Sequence, residues 1–155
     1  MYIIGGSDGI QIYNSLIRFD PVRFSFDVCK SMNEIRCYHC AVRFENFIVV
    51  IGGNNGKERL RTCELYDIKR NTWQFIESMN SARCDASAAV FNGKIYVAGG
   101  IEAFGISSME CYSFITRTWT VISFMNFPRR SFHLVAYSGY IYAIGGCTDI
   151  NDYAW

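Results

Sequence analysis

The sequence predicts an all-β protein, namely a segment of a β-propeller made of four-stranded antiparallel blades. Three observations lead to this prediction. Half of the 155 residues are hydrophobic and 16% are aromatic, a composition that suits pleated sheets. Paired glycines recur at a nearly constant interval along the chain. Between the pairs, short apolar segments alternate with turns rich in Asn and Gly, which is typical of strands in a repeated architecture.

Each glycine pair ends an apolar segment, as in "FIVVIGG" and "KIYVAGG". Successive pairs are 47, 47 and 46 residues apart, which indicates about three and a third repeats of propeller-blade length. The predicted repeats are 1–46, 47–93, 94–140 and a partial 141–155. Glycine is expected at these positions because it takes positive φ angles and allows close backbone approach. The pairs are Gly5 and Gly6, Gly52 and Gly53, Gly99 and Gly100, and Gly145 and Gly146.

Other markers keep the same register. A ring follows each of the first three glycine pairs, and a second ring comes seven residues later. We expect each ring pair to wedge between neighbouring blades, because one blade alone cannot cover so much apolar area. A Met-Asn dipeptide and then an arginine close each repeat. The first rings are Phe19, Tyr66 and Tyr112, the second rings are Phe26, Trp73 and Trp119, and the arginines are Arg36, Arg83 and Arg129.

The second repeat shows the four strands of one blade in order. They are "CYHCAVRF" at 37–44, "NFIVVIGG" at 46–53, "LRTCELYDI" at 60–68 and "TWQFIESM" at 72–79. The second of these is apolar at consecutive positions, which predicts an inner strand covered on both faces. Four antiparallel strands make one propeller blade.

With these markers the chain resembles the kelch-repeat family, in particular the propellers of kelch-like proteins, over all 155 residues. The stretches that carry the resemblance are "RFDP" at 18–21, "MNEIRCYHCAV" at 32–42, "NTWQFIESM" at 71–79 and "NSARCDASAAVFNGKIYVAGG" at 80–100. Ile17 departs from the family pattern, since Glu64 and Glu110 hold that position in later repeats. Ser113 likewise replaces an aspartate of the pattern.

The resemblance implies a closed ring of six blades, whereas only two complete blades are predicted here. Closure is what removes exposed strand edges from a propeller. We therefore expect either a fragment of a longer adaptor or a short chain that completes its ring by association. Neither the first four residues nor residues 147–155 look like the caps that repeat arrays need.

Kelch-like proteins bind protein ligands through loops on one propeller face, and the resemblance carries that role to matching positions. The loops are 7–14, 54–61 and 101–107, together with the turns after each repeat arginine. An alternative for the repeat arginines is that they satisfy backbone carbonyls between blades. Arg59 lies outside the repeat pattern and is the stronger candidate. The candidates are Arg59, Arg36, Cys37, Arg83, Cys84, Arg129, Arg130, Asn54 and Asn55.

The resemblance implies the substrate-binding part of a cullin-3 ubiquitin ligase adaptor, with BTB and BACK domains upstream contacting the cullin. The alternative is a cytoskeletal kelch protein that binds actin. A third class, an oxidase or glycosidase propeller, is disfavoured because fold does not imply such chemistry. The sequence has two histidines and no GxSxG or HExxH motif, so we expect no catalytic residues and no enzyme.

Other functions find little support in the sequence. The formal charge of +1 gives no net field toward nucleic acid or an anionic membrane. "CYHC" at 37–40 has no second ligand pair, so no metal and no cofactor are expected. "IGGNNGK" has no Ser or Thr after its lysine and is not a P-loop.

The seven cysteines and the lack of a leader or long apolar segment indicate the compartment. An odd, scattered set of cysteines favours reduced thiols. The longest apolar runs are far shorter than a membrane helix requires, and the N-terminus lacks a secretory pattern. We therefore expect a cytoplasmic protein.

Overall fold

The computed structural model describes residues 1–148, which form 13 strands in four antiparallel sheets and no helix. Sheet 1 contains β1 (Tyr2–Ser7), β2 (Ile12–Asp20) and β3 (Ser25–Cys29). Sheet 2 contains β4 (Cys40–Phe44), β5 (Phe47–Ile51), β6 (Cys63–Asp67) and β7 (Thr72–Ile76). Sheet 3 contains β8 (Ser87–Phe91), β9 (Lys94–Ala98), β10 (Ser108–Ser113) and β11 (Thr118–Phe124). Sheet 4 contains β12 (His133–Tyr137) and β13 (Tyr140–Ile144).

The all-β prediction is confirmed, and sheets 2 and 3 are complete four-stranded blades. Sheet 1 has three strands and sheet 4 has two, and the sheets of residues 1–148 do not close a ring. The end of the partial fourth repeat, residues 149–155, lies outside the described residues. No helix within the described part of the chain is long and apolar enough to cross a membrane.

Each blade begins before the glycine strand that defines the sequence repeat. In sheet 2, β4 comes from the end of the first repeat and pairs with β5, the glycine strand of the second. The strand predicted at 37–44 starts only at Cys40, because Tyr38 takes a φ of 52°. A left-handed residue cannot continue an extended strand. Cys37 instead forms an isolated antiparallel bridge with Asn54.

The inner strand β5 is buried on both faces. Val49 and Ile51 belong to the core between sheets 2 and 3, together with Val97 of β9. Ile48 and Val50 belong to the core between sheets 1 and 2. Because successive side chains of a strand point to opposite faces, a continuous apolar run is what two covering sheets require.

The three ring pairs have similar centroid distances but differ in how far neighbouring sheets bury them. The centroids are 4.8 Å apart for Phe19 and Phe26, 4.9 Å for Tyr66 and Trp73, and 5.1 Å for Tyr112 and Trp119. Tyr66 and Tyr112 are buried between sheets. Phe26, however, is 63% exposed. The expectation that this ring wedges between blades fails, because no sheet in the described residues covers its side of sheet 1.

One indole nitrogen joins sheet 2 to sheet 1, and another joins sheet 3 to sheet 2. Trp73 Nε1 donates to the carbonyl oxygen of Lys30 at 2.7 Å, and Trp119 Nε1 donates to that of Glu77 at 2.8 Å. Both acceptors follow the last strand of the preceding sheet. Trp119 is buried and so needs such an acceptor, while Trp73 is only partly buried. Through both bonds the repeated rings orient neighbouring blades as well as pack between them.

Candidate protein-interaction face

The loops after the glycine pairs and the turns after the repeat arginines lie at one end of the sheets. In sheet 3, Ser87 at the start of β8 pairs with Ala98 at the end of β9. The loop at 101–107 then returns to β10, whose Met109 pairs with the same Ala98. We call this end the loop face. It consists of residues 7–14, 54–61 and 101–107 with the turns 37–39, 84–86 and 130–132.

Backbone hydrogen bonds join the two kinds of segment in each blade. Cys37 N donates to Asn54 O at 2.9 Å, and Asn54 N donates to Cys37 O at 2.8 Å. The same reciprocal pair joins Cys84 to Ile101, at 3.1 and 2.9 Å. It also joins Arg130 to Cys147, at 3.1 Å in both directions. Each turn is therefore held against its glycine loop, and part of the first loop, residues 12–14, is already strand β2.

A second set of hydrogen bonds runs from blade to blade across this face. Asp85 N donates to Tyr38 O at 2.7 Å, and Ser131 N donates to Asp85 O at 3.2 Å. The Ser131 hydroxyl also donates to Asp85 Oδ2 at 2.5 Å. All three residues have positive φ angles, between 52° and 58°. This left-handed conformation is uncommon outside glycine. Here it orients the three turns so that they hydrogen-bond to one another.

Arg36 lies under the loop face and is not exposed to a protein ligand. Its side chain is 0% exposed and pairs with the equally buried Glu64 at 3.1 Å. Its Nη1 donates to the carbonyl oxygens of Gly52 and Thr62, both at 2.9 Å. The half-buried Glu34 provides a second carboxylate at 3.0 Å. Arg36 therefore bridges neighbouring strands of the blade that follows it.

Arg83 repeats this arrangement one blade later. It pairs with the buried Glu110 at 2.8 Å, and its Nη1 donates to Gly99 O at 2.9 Å. Burial alone would raise the pKa of Glu110, but hydrogen bonds from Asn80 and Arg83 outweigh burial and leave that pKa below its ordinary value. The alternative interpretation, that these arginines satisfy backbone carbonyls, describes Arg36 and Arg83, although the carbonyls of each belong to one blade and not to two. Their assignment to the ligand surface is wrong, because neither side chain is accessible.

Arg129 and Arg130 are partly buried at the end of sheet 3. Arg129 Nη1 donates to Gly145 O at 2.8 Å, the same bond that Arg36 and Arg83 make to Gly52 and Gly99. Arg130 Nη1 lies 3.7 Å from Asp85 Oδ2. Both arginines border the loop face, and Arg130 contacts the inter-blade turns directly.

The two candidate cysteines are buried, and the two candidate asparagines are partly buried and hydrogen-bonded within their loop. Cys37 is 6% exposed and Cys84 is 8% exposed, so burial removes both thiols from the predicted ligand surface. Asn54 Oδ1 accepts from Gly56 N at 2.6 Å. Asn55 Oδ1 accepts from the backbone of Lys57 and Glu58, both at 3.0 Å. Such asparagine bonds stabilise turns.

The exposed side chains of the loop face include Arg59, Tyr38 and Phe104, together with Ile10 and the charged residues Asp8, Lys57, Glu58, Arg61 and Glu102. Arg59 is exposed, as expected from its place outside the repeat pattern. Tyr38 is 69% exposed and Phe104 is 82% exposed, although neither was a sequence candidate. Comparison of the repeats could have found Tyr38: its equivalents are Asp85 and Ser131, and such variation beside an invariant arginine indicates surface.

The residues of "CYHC" do not converge. Cys37 Sγ donates to Asn54 O, whereas Cys40 Sγ donates to Ile51 O. Burial raises the pKa of the Cys37 thiol and raises the pKa of the Cys40 thiol to about 12, so both are protonated at neutral pH. Throughout residues 1–148, no three His, Cys, Asp or Glu side chains lie close enough to hold a metal ion. All seven cysteines are free thiols.

Comparison with known proteins assigns this architecture. The family model described as the KLHDC2/KLHL20/DRC7 Kelch-repeats domain matches residues 1–146. The chain belongs to the kelch-repeat family. A search of the curated proteins found no match. Kelch-repeat propellers are protein-interaction folds, and in this kelch chain the loop face offers an exposed arginine and two exposed rings on a hydrogen-bonded base.

Proposed function

We propose that this kelch-repeat chain is the substrate-binding part of a cullin-3 ubiquitin ligase adaptor and has no enzymatic activity of its own. We also propose that it resembles the tenth kelch-like protein within the family. In this proposal BTB and BACK domains upstream contact the cullin in the cytoplasm, and the loop face holds the protein to be ubiquitinated. Loops on a rigid scaffold are where recognition commonly resides.

The observation that supports the proposal best is the composition of the loop face. Tyr38 and Phe104 are large rings with high exposure, and Arg59 lies on a loop held by the Cys37 and Asn54 bridge. Tyrosine, other aromatics and arginine are enriched where protein interfaces bind most strongly. Backbone hydrogen bonds hold the base of these loops, which would lower the cost of ordering them on binding.

The test is co-precipitation of cullin-3 and of ubiquitinated proteins with the protein that carries this propeller. We expect the double variant Tyr38→Ala/Arg59→Ala to keep cullin-3 and to lose its ligand. The control is Ile115→Ala, which removes a 94% exposed side chain from the turn between β10 and β11, at the opposite end of the sheets. This control is expected to keep both.

Two outcomes would contradict the proposal. If cullin-3 is absent from the precipitate and the protein sediments with filamentous actin, the cytoskeletal alternative is correct. If ligand capture is lost in Ile115→Ala and retained in Tyr38→Ala/Arg59→Ala, recognition lies at the other end of the propeller.

A further inference from the structure

We propose that the cleft between sheets 2 and 3 binds a free aromatic amino acid, with its ring between the sheets, its ammonium group at Glu77 and its carboxylate at Arg117. The cleft has a volume of about 400 Å³, which is within the range of small-molecule sites. Phe47 and Arg117 place it toward the end of the sheets opposite the loop face, so the inference is independent of the proposed function.

Two contacts hold the sheets at a fixed separation around this cleft. The rings of Phe44, on β4, and Phe114, just after β10, stack with their centroids 4.4 Å apart. Glu77 Oε2 accepts from the hydroxyl of Tyr112 at 2.7 Å, and the carbonyl oxygen of Glu77 accepts from Trp119 Nε1 at 2.8 Å. The cleft is therefore formed before any ligand binds, which lowers the cost of binding.

The walls of the cleft are apolar and suit a flat ring. Leu65 and Tyr112 belong to the buried core between the two sheets, and Phe47 and Phe114 pack against that core. A ring in the cleft would gain contacts with other rings beyond the apolar area it buries. The amide of Gln74 lines the same cleft and offers an acceptor to an indole N–H, which favours tryptophan over phenylalanine.

Two side chains of opposite charge line this cleft without pairing with each other. The guanidinium of Arg117 is exposed and forms no ion pair with any carboxylate of residues 1–148. Glu77 Oε2 accepts from Tyr112, while no hydrogen bond within the described chain engages Oε1. The bond from Tyr112 and the charge of Arg117 both lower the pKa of Glu77, so Glu77 is ionised at neutral pH.

An α-amino acid carries the two complementary charges a few bonds apart. Its ammonium group is a donor for Glu77, and its carboxylate is an acceptor for the planar fork of Arg117. It can therefore bridge two side chains that do not reach each other. A ligand with only one of these charges would leave the other side chain of the cleft without a partner.

The interface between sheets 1 and 2 shows that the packing of the repeat does not require this pair of charges. Lys30 holds the position of Glu77 there, and Asn71 holds that of Arg117. Asn71 Oδ1 accepts from the hydroxyl of Tyr66 and from the backbone N of Lys30, both at 2.8 Å. A neutral side chain thus joins those two sheets, whereas Arg117 leaves its guanidinium available to a ligand.

The binding test compares four ligands that share an indole ring and differ in charge. They are L-tryptophan, tryptamine without the carboxylate, indole-3-propionate without the amine, and N-acetyl-L-tryptophanamide with neither charge. Titration calorimetry with the full chain should give L-tryptophan the lowest Kd, at least about tenfold below that of tryptamine or indole-3-propionate. The neutral amide represents tryptophan inside a peptide and should bind most weakly.

Two variants assign the charges to their side chains. Arg117→Gln should raise the Kd of L-tryptophan at least about tenfold and leave that of tryptamine unchanged. Glu77→Gln should raise the Kd of tryptamine and lower that of indole-3-propionate, because it removes a negative charge while the glutamine oxygen can still accept from Tyr112. The control is Arg23→Gln, at an exposed arginine between β2 and β3, which should change none of these values.

The proposal is overturned if L-tryptophan binds no more tightly than tryptamine and indole-3-propionate, or does not bind at millimolar concentration. It is also overturned if Arg117→Gln weakens tryptamine and L-tryptophan by the same factor, because the guanidinium would then not contact the carboxylate. An unchanged melting temperature of Arg117→Gln, expected for an exposed side chain without an ion pair, shows that its effect on binding is not a loss of fold.

Discussion

At the scale of single residues, the buried Arg and Glu pairs are the most consequential side chains of the molecule. Both partners of each pair are 0% exposed. A buried pair is not necessarily stabilising relative to apolar residues, but loss of one partner leaves the other charge uncompensated. Each arginine also holds backbone carbonyls next to the glycine pair, so the damage would reach the inner strand.

The first prediction tests this dependence with Glu110→Gln. We expect a loss of about 3–5 kcal/mol in the free energy of unfolding, because Arg83 stays charged and buried without its carboxylate. Denaturant titration at neutral pH measures it. The matched control is Asp27→Asn, which neutralises the carboxylate of an ion pair to Arg18 whose side chains are 54% and 50% exposed; its loss should be far smaller, because exposed ion pairs contribute little. Equal losses in the two variants would rule out a special role for the buried pair.

The second prediction concerns His39. Burial and the charge of Arg36 lower the pKa of its imidazole to about 4, from an ordinary value of 6.5. Between pH 6.5 and 4 the unfolded chain therefore binds a proton that the folded chain does not, so stability falls as pH falls. When the pH is lowered from 7.5 to 5, the unfolding free energy of the wild type should fall by about 2 kcal/mol more than that of His39→Gln.

Carboxylates do not obscure this comparison. The pKa of Glu110 is also lowered, so its protonation in acid lowers the unfolding free energy of the wild type and of His39→Gln equally. The difference between the two stability profiles therefore isolates His39. Parallel profiles would show that the imidazole titrates normally in the folded protein.

At the scale of elements, most strands were predictable because their signals are local. The glycine strands, the turns and the order within a blade follow from apolar runs and turn residues that recur in register. The late start of β4 was not predictable, because it depends on the left-handed Tyr38 and on Asn54 of another loop. The sequence left the burial of Arg36 as one of two alternatives, because its partner Glu64 lies 28 residues away and no local signal joins the two.

The third prediction compares a valine substitution at equivalent glycines of two repeats, Gly99 and Gly145. Gly99 has a φ of 64°, and a Cβ there would overlap the carbonyl oxygen of Arg129 and lie 2.7 Å from the Phe132 ring. Gly145 has a φ of 72°, and a Cβ there would meet no atom within 4 Å. Both valine variants incur the left-handed strain of about 1–3 kcal/mol. Gly99→Val should cost about 1–3 kcal/mol more, because the next blade cannot make room.

Thermal unfolding of the two glycine variants provides the measurement. A lower melting temperature for Gly99→Val than for Gly145→Val is expected. The same melting temperature for both would mean that the glycine is needed only for its backbone angle and not for the close approach of the next blade.

At the scale of the whole molecule, stability is shared between neighbouring sheets. The three core clusters lie between sheets 1 and 2, between sheets 2 and 3, and between sheets 3 and 4. In such an array each unit is stabilised by the surfaces it shares with its neighbours. Sheets 2 and 3 have neighbours on both sides among the described residues, while sheets 1 and 4 have one each.

The fourth prediction follows from this arrangement. Amide exchange should be slowest in β5 and β9, where Val49, Val50 and Val97 are fully buried, and much faster in β13, where Ile144 is 58% exposed. Opening of sheet 4 breaks one interface, whereas opening of sheet 2 breaks two, so the free energy of local opening rises toward the middle of the array. Exchange followed by mass spectrometry at residue resolution measures this gradient. Uniform protection across all four sheets would show that they unfold as one cooperative unit and that the shared interfaces do not act separately.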